Sequence, residues 1–216
     1  MTIVVVSPHL DDAVLSCWSI VAGDVDVAVV TVFTGAPDDP TLVTDWDRDT
    51  GLTSQERMAG RIEENRAALA LAGRTPTDLG FLDSQYGACS FDAWVMAECL
   101  RAAELVYLPA AIAVPGGRVH RDHVLVRDAC LELRPDARLY ADQPYCLFRQ
   151  AIGLPAGLRD RYADADDVLL STGQRQRKAE AIAAYAGEVR KLDRAFGIRL
   201  TDPDVLVRET FWQAAA

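Results

Sequence analysis

The sequence is short of histidine, of basic charge and of paired cysteine, and each shortage narrows what the chain can do. Its five cysteines, Cys17, Cys89, Cys99, Cys130 and Cys146, are odd in number, widely spaced and never arranged as C-x-x-C. That argues against a disulfide framework and reads as reduced thiols packed like small hydrophobes, with thiol catalysis at Cys17 or Cys146 a lesser alternative. Lysine and arginine number 22 against 32 aspartates and glutamates, a formal charge of −10. Such a surface is not built to neutralise nucleic-acid phosphates or anionic lipid, so neither nucleic acid nor membrane is an expected partner. A small neutral or cationic molecule is, while most of the acidic excess serves solubility. No apolar run is long enough to span a bilayer, and no basic leader or cleavage site precedes the first strand, which leads to the expectation of a cytoplasmic protein. No G-x-G-x-x-G or P-loop follows that strand, which sets nucleotide binding aside. Without repeat, low-complexity tract or linker, residues 1–216 are expected to form a single domain, and an oligomer remains open.

What is present is concentrated in Thr2 to Cys17, TIVVVSPHLDDAVLSC. Ile3 and Val4 to Val6 form a β-branched run that reads as a strand buried on both faces, as in a parallel sheet. Ser7-Pro8 stops it, so His9, Asp11 and Asp12 fall just past its carboxyl end, where open α/β sheets place their ligands. Imidazole beside carboxylate suits a borderline cation such as zinc. His9 and Asp12 are three apart and converge if the chain turns helical, while Asp11 points elsewhere. The plainer reading is that the two aspartates cap a helix near Ala13, but capping needs only one carboxylate.

The rest of the chain alternates. A helix is expected over Ala13–Val21, a strand over Val25–Phe33, and an irregular loop from Pro37 to Thr53 that holds Trp46 and Arg48, either a wall beside the site or a solvated excursion. Ser54 is expected to cap a helix running to Ala72, in which Arg61 and Glu64 stand one turn apart and can pair. Strands follow at Thr77–Leu82, Leu105–Leu108, Arg138–Ala141 and Val168–Ser171, with helices at Phe91–Ala103, His120 or Arg121 to Leu133, and Gln174–Leu192. Between strand and helix, the loop Ala110–Gly117 ends in a flexible Gly-Gly pair.

All three histidines lie in two segments that follow apolar strands: His9 in the first, His120 and His123 in the second. In H-R-D-H the outer pair faces one crevice on a first helical turn, whereas Asp122, a competing ligand, points in a different direction. His9, Asp12 and His123 would give a metal three protein ligands and leave a fourth position for water, the arrangement of a catalytic rather than a structural zinc. Water so bound loses a proton near neutral pH, and Asp11 is placed to take it as general base. His120 could then stabilise the oxyanion or protonate a leaving amine. These parts match amide hydrolysis.

Read together, His9-Leu10-Asp11-Asp12-Ala13 and His120-Arg121-Asp122-His123 resemble the paired motifs of the PIG-L (LmbE-like) family of zinc-dependent de-N-acetylases, usually His-Pro-Asp-Asp-Glu and His-Pro-Asp-His. The resemblance extends to Arg61-x-x-Glu64 with Ala68, Leu79 to Asp83, Lys178 with Tyr185, and Glu209-x-Phe211. It implies an α/β fold, a Rossmann-like three-layer sandwich with a mostly parallel central sheet. It further implies one Zn2+ per chain on His9, Asp12 and His123, Asp11 as base and His120 as acid or polarising group. Asp83, and with them Arg48 and Arg61, are implied to touch substrate or brace the site. The implied substrate is an N-acylated amino sugar or a glycosylated metabolite. Leu10 and Arg121 replace both motif prolines, and Ala13 replaces the glutamate that would orient a ligand. A catalytically silent sugar-binding module on the same fold is the alternative, disfavoured because binding alone needs neither Asp11 nor His120.

Overall fold

The computed structural model describes residues 1–87, 91–112, 119–148 and 153–215. In chain order its elements are β1 (Thr2–Ser7), α1 (Asp12–Ser16), α2 (Trp18–Val21), β2 (Asp26–Thr31), α3 (Ser54–Ala70), β3 (Pro76–Asp78), α4 (Ala93–Leu100), β4 (Leu105–Pro109), α5 (Arg121–Leu133), β5 (Arg138–Tyr140), β6 (Asp166–Leu169), α6 (Thr172–Ala183), α7 (Ala186–Phe196) and β7 (Arg208–Trp212). The sheet runs β3-β2-β1-β4-β5-β7-β6, parallel except for β7, which opposes both of its neighbours. This is the expected α/β sandwich.

β1 shows why. Side chains of a strand alternate between faces, so a strand apolar at every position needs cover on both. Ile3 and Val5 pack with Val14, Trp18, Leu69, Ile182 and Val189 on one side of the sheet. Val4 and Val6 pack with Met96, Val126 and Cys130 on the other. All four are buried, and each such side chain stabilises the fold by about 1.5–3 kcal/mol. The crossover direction changes between β1 and β4, and a crevice opens there at the carboxyl ends of the strands.

Several local expectations are corrected. The single helix over Ala13–Val21 is broken at Cys17 into α1 and α2, because the Glu209 carboxylate from β7 accepts the Trp18 and Ser19 amides at 2.7 and 2.8 Å. Those amides would otherwise have continued the helix. The helix over Gln174–Leu192 likewise divides into α6 and α7 around Tyr185, whose hydroxyl donates to Asn65 Oδ1 at 2.9 Å and approaches the Leu10 carbonyl at 3.1 Å. α3 is capped by Thr53 rather than Ser54, in a reciprocal box with Glu56. Its Glu64 pairs with Arg57, not Arg61. Cys17, Cys99, Cys130 and Cys146 are free thiols; Cys89 and the greater part of the Ala110–Gly117 loop lie outside the described residues. Among the described residues no helix is long and apolar enough to cross a membrane.

Candidate active site at the carboxyl ends of the strands

Four strands deliver one side chain or more each to the crevice. His9, Asp11 and Asp12 follow β1, Asp83 follows β3, His120 and His123 follow β4, and Asp142 follows β5. Ser7 shapes the first turn: its hydroxyl donates to the His9 carbonyl at 2.6 Å and accepts the Ala13 amide at 3.0 Å. The Asp11 side chain makes no capping bond to α1, which removes the capping reading for that residue. Asp12 turns back instead, and its Oδ2 accepts the His9 amide at 2.7 Å.

Three ligand-capable atoms meet at the floor. His9 Nδ1 and His123 Nε2 are 3.2 Å apart, and each lies 3.4 Å from Asp12 Oδ2. Tetrahedral zinc with nitrogen and oxygen ligands at about 2.0–2.1 Å has ligand–ligand edges of about 3.3–3.4 Å. The donor triangle fits that ion. The outer hydrogen bonds assign the tautomers that make it work. His123 Nδ1 is 2.6 Å from Asp142 Oδ1, and the second oxygen of Asp142 accepts the Ile112 amide at 3.0 Å. His9 Nε2 is 3.1 Å from Asp122 Oδ2. With each ring's N–H on the carboxylate at its back, Nδ1 of His9 and Nε2 of His123 would remain as lone pairs beside the Asp12 oxygen once a metal displaces the second ring proton. Such a triangle could hold a cation.

The proton affinities report the same field. Burial lowers the imidazole pKa of His9, but the hydrogen bonds its ring donates to Asp12 and Asp122 reverse this and hold it well above its ordinary value. His123 is raised in the same way, against burial, by Asp12 and Asp142. Asp12, although buried, is held below the usual carboxylate range by His123 and His9. Asp11 is different: burial, then the charges of Asp12 and Glu188, push it up to about 7. His120 is pushed down to about 3 by burial and by the other two histidines. His120 thus stays neutral beside two rings that attract positive charge.

The cleft above this floor encloses about 400 Å³. Its lining includes the polar Asp11, Arg61, Asp83, His120 and Glu188 and the apolar Leu15, Pro144, Leu192, Ala195 and Phe196. His120 Nδ1 and, at the floor, Asp122 Oδ1 are buried with no hydrogen-bond partner, a pattern common where groups are arranged for a ligand. His9, Asp11, Asp12, His120, His123, Asp83 and Arg61 are therefore brought together. Arg48 is not. It is solvent-exposed, not among the cleft-lining residues, and forms an ion pair with Asp45 at 2.5 Å.

No family model matches this chain, and no curated protein matches it. Solved structures do. A triple mutant of a deacetylase of the teicoplanin biosynthetic pathway (Orf2*T) aligns over 100% of this chain and 98% of its own, at 27% identity and a TM-score of 0.81. A zinc-inhibited form of teicoplanin deacetylase Orf2 aligns over the same shares at 26% and 0.77. Dbv21, a deacetylase of the A40926 pseudoaglycone, is 28% identical over 99% of this chain and 96% of its own, with a TM-score of 0.73. At 17% identity and a TM-score of 0.58, the 4-carboxy-2-hydroxymuconate hydratase GalB of Pseudomonas putida shares the fold alone. The fold by itself therefore does not choose the reaction.

Sequence reasoning missed Asp142 behind His123, and Tyr145 and Glu188, which line the cleft. Asp142 and Tyr145 lie in Asp-Gln-Pro-Tyr after β5, and the position of that segment behind a strand end was the available signal. Glu188 carried none, because it belongs to what reads as one uninterrupted helix. Asp122, expected to point away, instead reaches the far nitrogen of His9.

Proposed function

We propose that the chain is a metal-dependent amide hydrolase of the PIG-L (LmbE-like) type, removing an acetyl or other small acyl group from the nitrogen of an amino sugar or sugar-bearing metabolite. The observation that carries this reading is the triangle of His9 Nδ1, Asp12 Oδ2 and His123 Nε2, with Asp11 and His120 beside it in one cleft. Full-length likeness to deacetylases at 26–28% identity supports the same reaction class. A zinc ion held there would supply the Lewis acidity that makes water a nucleophile near neutral pH.

The chain's own groups do the rest. Asp11 takes the proton of the attacking water; its environment, with an affinity near neutrality, suits both uptake and return of that proton. Neutral His120 offers a ring N–H to the oxygen on which charge develops, and the proton gathered at Asp11 passes to the departing nitrogen. Asp83 and Arg61 hold the hydroxyls of the sugar. The apolar residues of the cleft lining cover the remainder of a glycosylated metabolite and shed water from the site.

Metal analysis followed by amine release from a panel of N-acetylglucosamine derivatives, free and attached to aromatic or peptide aglycones, tests the reading. Zinc should be titrated from none through excess, since excess ion can mask activity. Stoichiometric metal with amine release supports hydrolysis. Metal with no release from any member of the panel at any zinc level overturns it in favour of the silent binding module.

A further inference from the structure

α7 turns four side chains toward the cleft, Glu188, Leu192, Ala195 and Phe196, and Glu188 is the charged one. It is 5% exposed. A buried carboxylate persists only where partners offset its lost hydration, and these partners come from two other elements. Glu188 Oε1 accepts the indole N–H of Trp46 at 2.8 Å, from the loop before α3. Glu188 Oε2 accepts from Arg57 Nη2 at 3.3 Å and lies 3.5 Å from Arg61 Nε, both on α3. Arg61 Nη2 in turn lies 4.0 Å from Asp11 Oδ1.

The surroundings are fitted to this junction. Arg57 is also held by Glu64 at 3.1 Å, and its guanidinium fills the space under Gly187, where a Cβ would come within 2.8 Å of Arg57 Nη2. One helical turn past Glu188, Lys191 donates to the Trp46 carbonyl and carries its ammonium over the indole, 5.2 Å from the ring centroid. An irregular loop, which by itself would sample many positions, thus has its one cleft-lining aromatic side chain fixed by α7 at the indole N–H, the ring and the backbone.

We propose that Glu188 is a positioning residue: one of its oxygens sets the Trp46 wall of the cleft, the other sets the guanidinium next to Asp11. The wall is where a ring of the substrate would lie, and the guanidinium is next to the group assigned as base. Glu188 therefore influences grip through Trp46 and turnover through Arg61, without touching the reacting atoms. The assignment of turnover to Asp11 rests on the proposed hydrolysis; the tethering of Trp46 does not.

Two variants separate the two oxygens. Glu188→Gln keeps an acceptor for the indole but removes the charge facing Arg57 and Arg61, whereas Glu188→Ala removes both. Acrylamide quenching of the Trp46 fluorescence, obtained as the difference between the protein and its Trp46→Phe variant, reads the wall without any reaction. From a ring already 37% exposed, about a twofold rise in quenching is expected for Glu188→Ala and little change for Glu188→Gln. With whichever N-acetylglucosamine derivative is turned over, Trp46→Ala should raise KM at least fivefold while altering kcat less than twofold. Glu188→Gln should lower kcat at least fivefold with KM nearly kept. Trp46 as shielded in Glu188→Ala as in the parent overturns the tether. Equal changes of kcat and KM, or losses fully accounted for by the folded fraction in thermal melts, overturn the positioning role. Should no derivative be turned over by the parent, the hydrolase reading fails while the quenching result still decides the tether.

Discussion

Lys178 and Glu209 are as deeply buried as anything at the cleft floor, yet the two regions treat their charges in opposite ways. Lys178 Nζ donates to Glu209 at 2.7 Å and approaches Gln143 Oε1 at 3.3 Å, while the two Glu209 oxygens take the Trp18 and Ser19 amides. One cation meets one anion. At the floor of the cleft Asp11, Asp12, Asp122 and Asp142 surround His9 and His123 with acids in excess, and His120 Nδ1 and Asp122 Oδ1 are left without partners. The first network holds β5, α2, α6 and β7 together and is complete as folded. The second carries acids in excess, an imbalance that suits a bound cation and sets it apart as the proposed site.

Removing ligands should give the largest break in this contrast. His123→Ala is expected to abolish metal retention and activity, and Asp142→Asn, which deprives His123 of its outer partner, to weaken metal binding by roughly 10–100-fold. Competition with a chelator measures both; equal metal affinity in Asp142→Asn would show that the tautomer does not depend on that carboxylate. Next, Asp11→Asn should retain the metal and lose turnover by about 10²–10⁴-fold, read by metal content and initial rates on the same sample. In the balanced network Lys178→Met leaves Glu209 buried without its cation, and a loss of about 3–5 kcal/mol is expected in urea unfolding. Its folded fraction should still bind metal one to one, which loss of a metal ligand such as His123 would not allow.

The smallest effect concerns pH. Burial would raise the Glu188 carboxyl, but Arg61 and Arg57 hold it below its ordinary value. A group whose folded affinity for protons is depressed contributes stability above its unfolded pKa, about 4.3, and loses that contribution as pH falls toward the folded value. Glu188→Gln should therefore be less stable than the parent near neutrality and show a flatter decline below about pH 4.3. Parallel melting curves against pH for the two proteins would remove this contribution.

Much of the site could be read from residue order because its chemistry is local. His9 with Asp12, and His120 with His123, are each three positions apart behind apolar strands, so the turn that ends the strand also assembles the donors. The helix breaks could not be read that way. Cys17 and Tyr185 interrupt patterns that are locally helical, and what interrupts them, Glu209 and Asn65, arrives from distant segments. Arg48 failed for the same reason in reverse: a loop's proximity in sequence to a site says nothing about which way its side chains turn.

The order of residues alone determined the parallel sheet, through strands too apolar to leave either face wet, and it determined which ends of those strands carry the reactive groups. Tertiary structure alone decided the second carboxylate behind each imidazole, the Trp46 wall and the Glu188 junction. Those contacts join segments separated by 19 to 145 positions, and periodicity within a segment holds no information about which distant side chain will meet it.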